Sequence, residues 1–245
     1  MISYRSGNPA LTKNTFNTSN VNHQDNVMTL DGTVNKTAIS LLILMSCAFY
    51  TFTNNNTSFI WLGIIAGTIL AFVTIFKKNW APYTVPFYAA FEGLALGGIS
   101  TIYAHMYTGI VQQAIFLTFG IFLALLFAYK TQIIQATENF KLGVFAATGG
   151  IFFFYLISWI FSFFGGEMSM LSPTNGSMMS IGFSVFVVII ASLNLVLDFD
   201  FIEHGAEVGA PKYMEWYGAF GLLVTLIWLY LEILKLLAKL YSNRD

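Results

Sequence analysis

The chain has 245 residues, 56% hydrophobic and 17% aromatic, with 9% charged side chains and a net charge of −1. A soluble domain carries about a quarter charged residues; here 37–76 holds none, 79–129 only Glu92 and 142–197 only Glu167. These figures exclude a soluble globular domain, and the lack of a basic patch excludes nucleic acid as a partner. The lipid bilayer is the solvent they imply. In chain order, residues 1–36 are a polar tail rich in Asn, Ser and Thr with no sustained apolar period. Residues 37–245 form the membrane domain. A spanning helix needs about 20 mostly apolar residues, and seven runs qualify, near 37–53, 58–76, 82–105, 110–129, 142–164, 178–199 and 216–240. None alternates apolar with polar residues as a membrane barrel strand does. The fold class is therefore an all-α polytopic membrane protein with seven transmembrane helices.

The breaks between runs have physical causes. Asn54, Asn55 and Asn56 make a polar turn after the first run, and Lys77, Lys78 and Asn79 stop the second. Pro82 opens the third, where its missing N–H is harmless. Pro173, Asn175 and Gly176 mark the fifth loop, and Gly205, Gly209 and Pro211 the sixth. Gly63 with Gly67, and Gly93 with Gly97, are small-residue spacings that suit close helix approach. Cys47 stands alone in an apolar run, with no disulfide or metal partner of its own type. The first apolar run lies behind the tail, the wrong order for a cleavable signal.

Lysine and arginine placement sets the orientation. With the N-terminus inside, Arg5, Lys13, Lys36, Lys77, Lys78, Lys130, Lys141 and Lys212 are all inner, and the loops between outer ends hold none. The N-terminus is expected in the cytoplasm. Lys235, Lys239 and Arg244 break the rule: either they snorkel at the outer interface or one run is not a full span.

An ionisable residue at membrane depth is costly, and function is its default reading. Three qualify: Glu92 near the middle of the third run, Asp198 near the inner end of the sixth, and Glu232 in the outer half of the seventh. Removal from water disfavours the charged form of a carboxylate, and a second carboxylate nearby disfavours it further. Such groups suit a pH-dependent latch, a proton relay or a hard-oxygen cation site; Ca²⁺ in particular takes carboxylate and carbonyl oxygens. Asp198, Asp200, Glu203, Glu207 and Glu215 put five of the twelve acids within eighteen residues, against Lys212 and His204. Read as a loop, that stretch would attract cations to an inner mouth, or simply be a solvated hairpin. No nucleophile elbow is present, and His23, His105 and His204 lie in separate segments without metal-ligand spacing, so an enzyme is not expected. A retinal protein would need a lysine deep in the last helix; Lys235 lies near its far end, next to Glu232.

Four segments point to a family: MTLDGTVNKTAISLL (28–42), FEGLALGGIS (91–100), LVLDFDFIEHG (195–205) and GAPKYMEWYGAFGLLVTLIWLYLEILKLL (209–237). Together they resemble the bacterial, YccA-like branch of the Bax inhibitor family, from about Met28 to the C-terminus. The resemblance implies six helices around a central seventh and a pH-sensitive calcium leak gated by one acid on each of the last two helices. It further implies a link to cell-death suppression in eukaryotes and to a membrane-bound AAA protease in bacteria, hence the bacterial inner membrane. Asp198 matches the sixth-helix acid. Glu232 matches the seventh-helix acid, where better-known members carry Asp. Both become gating and Ca²⁺-binding candidates, with Ca²⁺ as cargo and no cofactor. Thirty-four positions separate them. A turn at Gly209–Pro211 would place them about 15 Å apart along the membrane normal, which suits a vertical series of Asp198, Glu92 and Glu232 better than one two-acid latch. The rival reading is a non-transporting regulator of a membrane protease or a stress pathway.

Overall fold

A computed structural model of the chain describes residues 27–166 and 168–243. Seven helices are long and apolar enough to cross a membrane: α1 Leu30–Thr53, α2 Phe59–Phe76, α3 Ala81–Met106, α4 Ile110–Lys130, α5 Glu138–Phe163, α6 Met178–Glu207 and α7 Met214–Ser242. The shortest, α2, has 18 residues, about 27 Å at 1.5 Å per residue, close to the thickness of a hydrocarbon core. Most of the polar tail, with Arg5 and Lys13, lies outside the described residues, as do Glu167 and Arg244.

Two boundaries move from their sequence positions. α1 begins at Leu30 rather than Thr37, because Thr29 caps it: extended backbone, with the hydroxyl accepting from the Gly32 N–H at 3.0 Å and Asp31 in the first turn. α6 continues to Glu207 rather than stopping at 199. At 30 residues it is about 45 Å long, so its last turns reach past the hydrocarbon into the headgroup depth. The acidic stretch is therefore not a loop. Asp198, Asp200, Glu203 and Glu207 are helical, Glu215 opens α7, and the connection between the two helices spans only 208–213. Gly209 turns that corner with φ +64°, and Asn55 turns the asparagine corner with φ 48°, a conformation asparagine tolerates better than most residues.

The chain divides into two compact units. One contains α1, α2, α3, the C-terminal end of α6 from Asp198 and the start of α7 to Val224. Here the glycine spacings do what small residues allow. A methyl group on Gly93 would overlap the Leu44 carbonyl, and one on Gly97 would overlap Thr51 and the Ala48 carbonyl, so α3 meets α1 almost backbone to backbone. Gly63 similarly admits the Phe91 carbonyl of α3. Thr74 donates to Thr84 at 2.7 Å, joining α2 to α3 by a buried hydroxyl pair. Tyr88 meets Phe220 edge to face at 5.0 Å. The other unit contains α4, α5, α6 to Leu197 and α7 from Thr225. Its apolar centre is Ile151, Val187 and Ile190, with Tyr155, Phe183 and Trp228 against them. In this unit Asn194 of α6 donates to Thr148 of α5 at 2.8 Å.

Candidate functional site

Glu92 sits near the middle of α3, as the sequence placed it, and is half-buried. Its carboxylate occupies the groove left by Gly67 of α2: a Cβ at Gly67 would meet Glu92 Oε1 at 2.5 Å. Among the described residues, no base lies within salt-bridge distance of it and no hydrogen bond reaches its carboxylate. Glycine at 67 thus makes room for a carboxylate at membrane depth that no base among the described residues neutralises.

Glu232, on α7, is 2% exposed and is compensated. The Tyr155 hydroxyl of α5 reaches both its oxygens, at 3.0 and 3.1 Å. Lys235 donates to Oε1 at 2.9 Å while its ammonium lies 5.0 Å from the Tyr155 ring centre. An acid, a base one turn along and a phenol share the charge in this unit. Lys239, one turn beyond Lys235, is not a snorkelling interfacial lysine. It is 1% exposed and donates to the Met170 carbonyl at 2.7 Å, the Ser184 hydroxyl at 2.8 Å and the Ser180 carbonyl at 3.3 Å. Of the C-terminal positive charges that broke the orientation rule, Lys239 is therefore accounted for inside the protein and Lys235, partly exposed, by its pairing with Glu232, and all seven helices remain long enough to span.

Asp198 is fully buried on α6. Asp200 and Glu203 are half-buried and Glu207 is exposed, 4.0 Å from His204 on its own helix. Glu215 corrects the expectation of an acid at an open mouth, because it is fully buried. Its Oε1 accepts from the Thr29 N–H at 3.1 Å and the Thr29 hydroxyl at 2.9 Å, and Lys36 lies 3.3 Å from Oε2. Lys212, half-exposed, is 3.9 Å away. The carboxylate sits on the N-terminal end of α1, where helix N–H groups and the peptide dipoles favour an anion. The residues before α1 are also tied to the α6–α7 connection: the Met28 N–H donates to the Ala210 carbonyl at 2.6 Å, beside an antiparallel bridge of Val27 with Pro211. Glu215 is a clamp, unavailable to solvent cations.

Tyr155, Lys36, Ser180 and Ser184 were not legible as site residues. Tyr155 stands in an aromatic run, FFFYL, where nothing marks one ring as a donor. Thr29 did carry a signal, a hydroxyl residue just before LDG, which reads as a helix cap. Among the described residues no group of three or more His, Cys, Asp or Glu side chains is placed to hold a metal ion.

Seven apolar helices with buried carboxylates at membrane depth define a polytopic integral membrane protein with an ionisable interior. The model of the Bax inhibitor 1 like family matches residues 8–242, and the chain belongs to that family. A comparison with curated proteins found no match.

Proposed function

We propose that this chain is a pH-sensitive cation leak, with Ca²⁺ the leading cargo, in a bacterial inner membrane with its N-terminus in the cytoplasm. The motifs that resemble the YccA-like branch and the inner bias of Lys and Arg support that setting. The observation that carries the reading is Glu92: a carboxylate halfway along a membrane helix, in a glycine groove, without a neutralising base among the described residues. Burying a charge in this way is costly and adds nothing to packing that a leucine would not, so a role in moving charge is its best account. Asp198 and Glu232 extend the series of intramembrane acids on the last two helices. At acidic pH protonation neutralises these carboxylates; at higher pH their charged forms recruit cation, favouring the open state. A permeating Ca²⁺ meets them as cargo, with Asp198 and Glu232 as its candidate oxygen ligands. The test is Ca²⁺ entry into proteoliposomes across pH, comparing the wild type with Glu92→Gln, Asp198→Asn and Glu232→Gln. Flux unaltered by all three substitutions would sink the mechanism.

A second reading rests on a different observation. Glu232 and Glu215 are both compensated by bases and hydrogen bonds, as structural acids are. On that reading the protein transports nothing, the acids fix helix packing, and the chain regulates a membrane-bound AAA protease or a stress pathway through its polar tail. Deleting residues 1–27 separates the two: a leak keeps its flux, whereas a regulator loses its co-purifying partner and shows no flux in any variant.

A further inference from the structure

We propose that Lys239 is a clasp that pins segment 168–177 over the C-terminal end of α7, and that the pinned segment closes the aqueous approach to Glu232 from that end. An ammonium has three donors, and three neutral oxygens take them here: the carbonyls of Met170 and Ser180 and the hydroxyl of Ser184. A cation is expensive to bury unless its donors are met this fully, so a lysine at this depth holds its partners in place as firmly as they hold it. Met170 belongs to the segment; Ser180 and Ser184 belong to the first turns of α6.

The segment is folded on itself by a 3-10 turn at Ser169–Leu171, by the Ser172–Thr174 hydroxyl pair and by Asn175, whose side-chain amide donates to the Ser169 carbonyl at 3.0 Å and hydroxyl at 2.8 Å, so it can be pinned or released as a unit. Its other anchors are again on α6 and α7. The Ser180 hydroxyl donates to the Met170 carbonyl at 2.8 Å, and the Ser242 hydroxyl to the Thr174 carbonyl at 2.7 Å. Gly176 lies so close to the end of α7 that a Cβ there would stand 2.8 Å from the Asn243 backbone. Lys239 follows Glu232 by seven residues, two helical turns, so both lie on one face of α7 with the clasp about 10 Å nearer the C-terminus. The significance of shielding Glu232 rests on the leak reading above; the clasp itself does not.

The experiment is hydrogen exchange on the full-length protein in lipid nanodiscs, wild type against Lys239→Met. Amides of 171–181 should exchange on the order of tenfold faster, while those of 185–197 and 216–228 keep wild-type rates. In a Cys47→Ala background, Val187→Cys, in the apolar cluster beside Tyr155, should resist a water-soluble maleimide and become reactive once Lys239→Met is added. Unchanged exchange and labelling would overturn the clasp, as would uniformly faster exchange along every helix, which marks a general fold contact. Should Lys239→Met fail to fold, the pair Ser184→Ala and Ser242→Ala should release the same amides by about threefold; no local change there would overturn it too. Neither readout depends on flux, so an inactive leak assay bears only on the leak reading.

Discussion

Glu215→Gln isolates the charge of the clamp on α1 while keeping its shape. The wild-type carboxylate is fully buried, accepts two bonds from Thr29 and lies 3.3 Å from Lys36. Turning two charge-assisted bonds into neutral ones costs about 1 kcal/mol each. Losing the anion at the helix N-terminus adds about 0.3–1 kcal/mol. The amide also sets an N–H₂ or a weaker acceptor against Lys36. Two effects work the other way: a neutral amide is cheaper to bury, and Lys36, with 27% of its side chain exposed, rehydrates instead of being stranded. The net loss should be about 2–3 kcal/mol, below the roughly 3–5 kcal/mol of a fully buried charge left alone. Reversible unfolding in mixed micelles, followed by far-ultraviolet circular dichroism, measures it, with faster exchange at the amides of 30–34 as the local signature. Adding Lys36→Met should return a coupling of about 1 kcal/mol in a double-mutant cycle. A loss under about 0.5 kcal/mol, or coupling near zero, would show that the clamp contributes no stability and would refute the reasoning.

Other outcomes follow from the same geometry. Gly97→Val should destabilise by about 1–3 kcal/mol, since α1 backbone would have to move, whereas Gly120→Ala, with nothing within 4 Å, should be neutral or stabilising by up to about 1 kcal/mol; equal effects in micellar unfolding would contradict the close-packing account. Thr84→Val should cost about 0.5–1 kcal/mol, since the Thr74 hydroxyl loses its cross-helix partner but keeps the Leu70 carbonyl, read in the same unfolding assay. Tyr155→Phe and Lys235→Met should be strongly non-additive, because each acts through Glu232; simple additivity in a stability cycle would dissolve the network.

Much of the helical plan was legible because a bilayer imposes it. Backbone groups in hydrocarbon must bond within their own segment, so a run of about 20 apolar residues has few structures open to it, and the seven runs became seven helices. The glycine pairs were legible for a similar reason: where two helices touch, only a missing side chain lets them close, as at Gly93 and Gly97. Helix ends were harder. Composition saw the polar residues 30–36 and 200–207 as tail and loop, but a cap at Thr29 and the continuing hydrogen bonds of α6 kept both helical.

The sequence by itself determined the solvent, the number of spans and the short list of acids at membrane depth, because hydrophobicity and charge are local properties. Only the tertiary structure decided what surrounds each acid. Five acids close in sequence read as one cluster, yet Glu215 turns onto the end of a helix that begins 185 positions earlier, while Glu207 faces outward. Lys239 looked like an interfacial charge and proved to be a buried donor to three oxygens. The strength of an ionised group depends on the dielectric and partners around it, and partners far apart along the chain meet only when the helices pack.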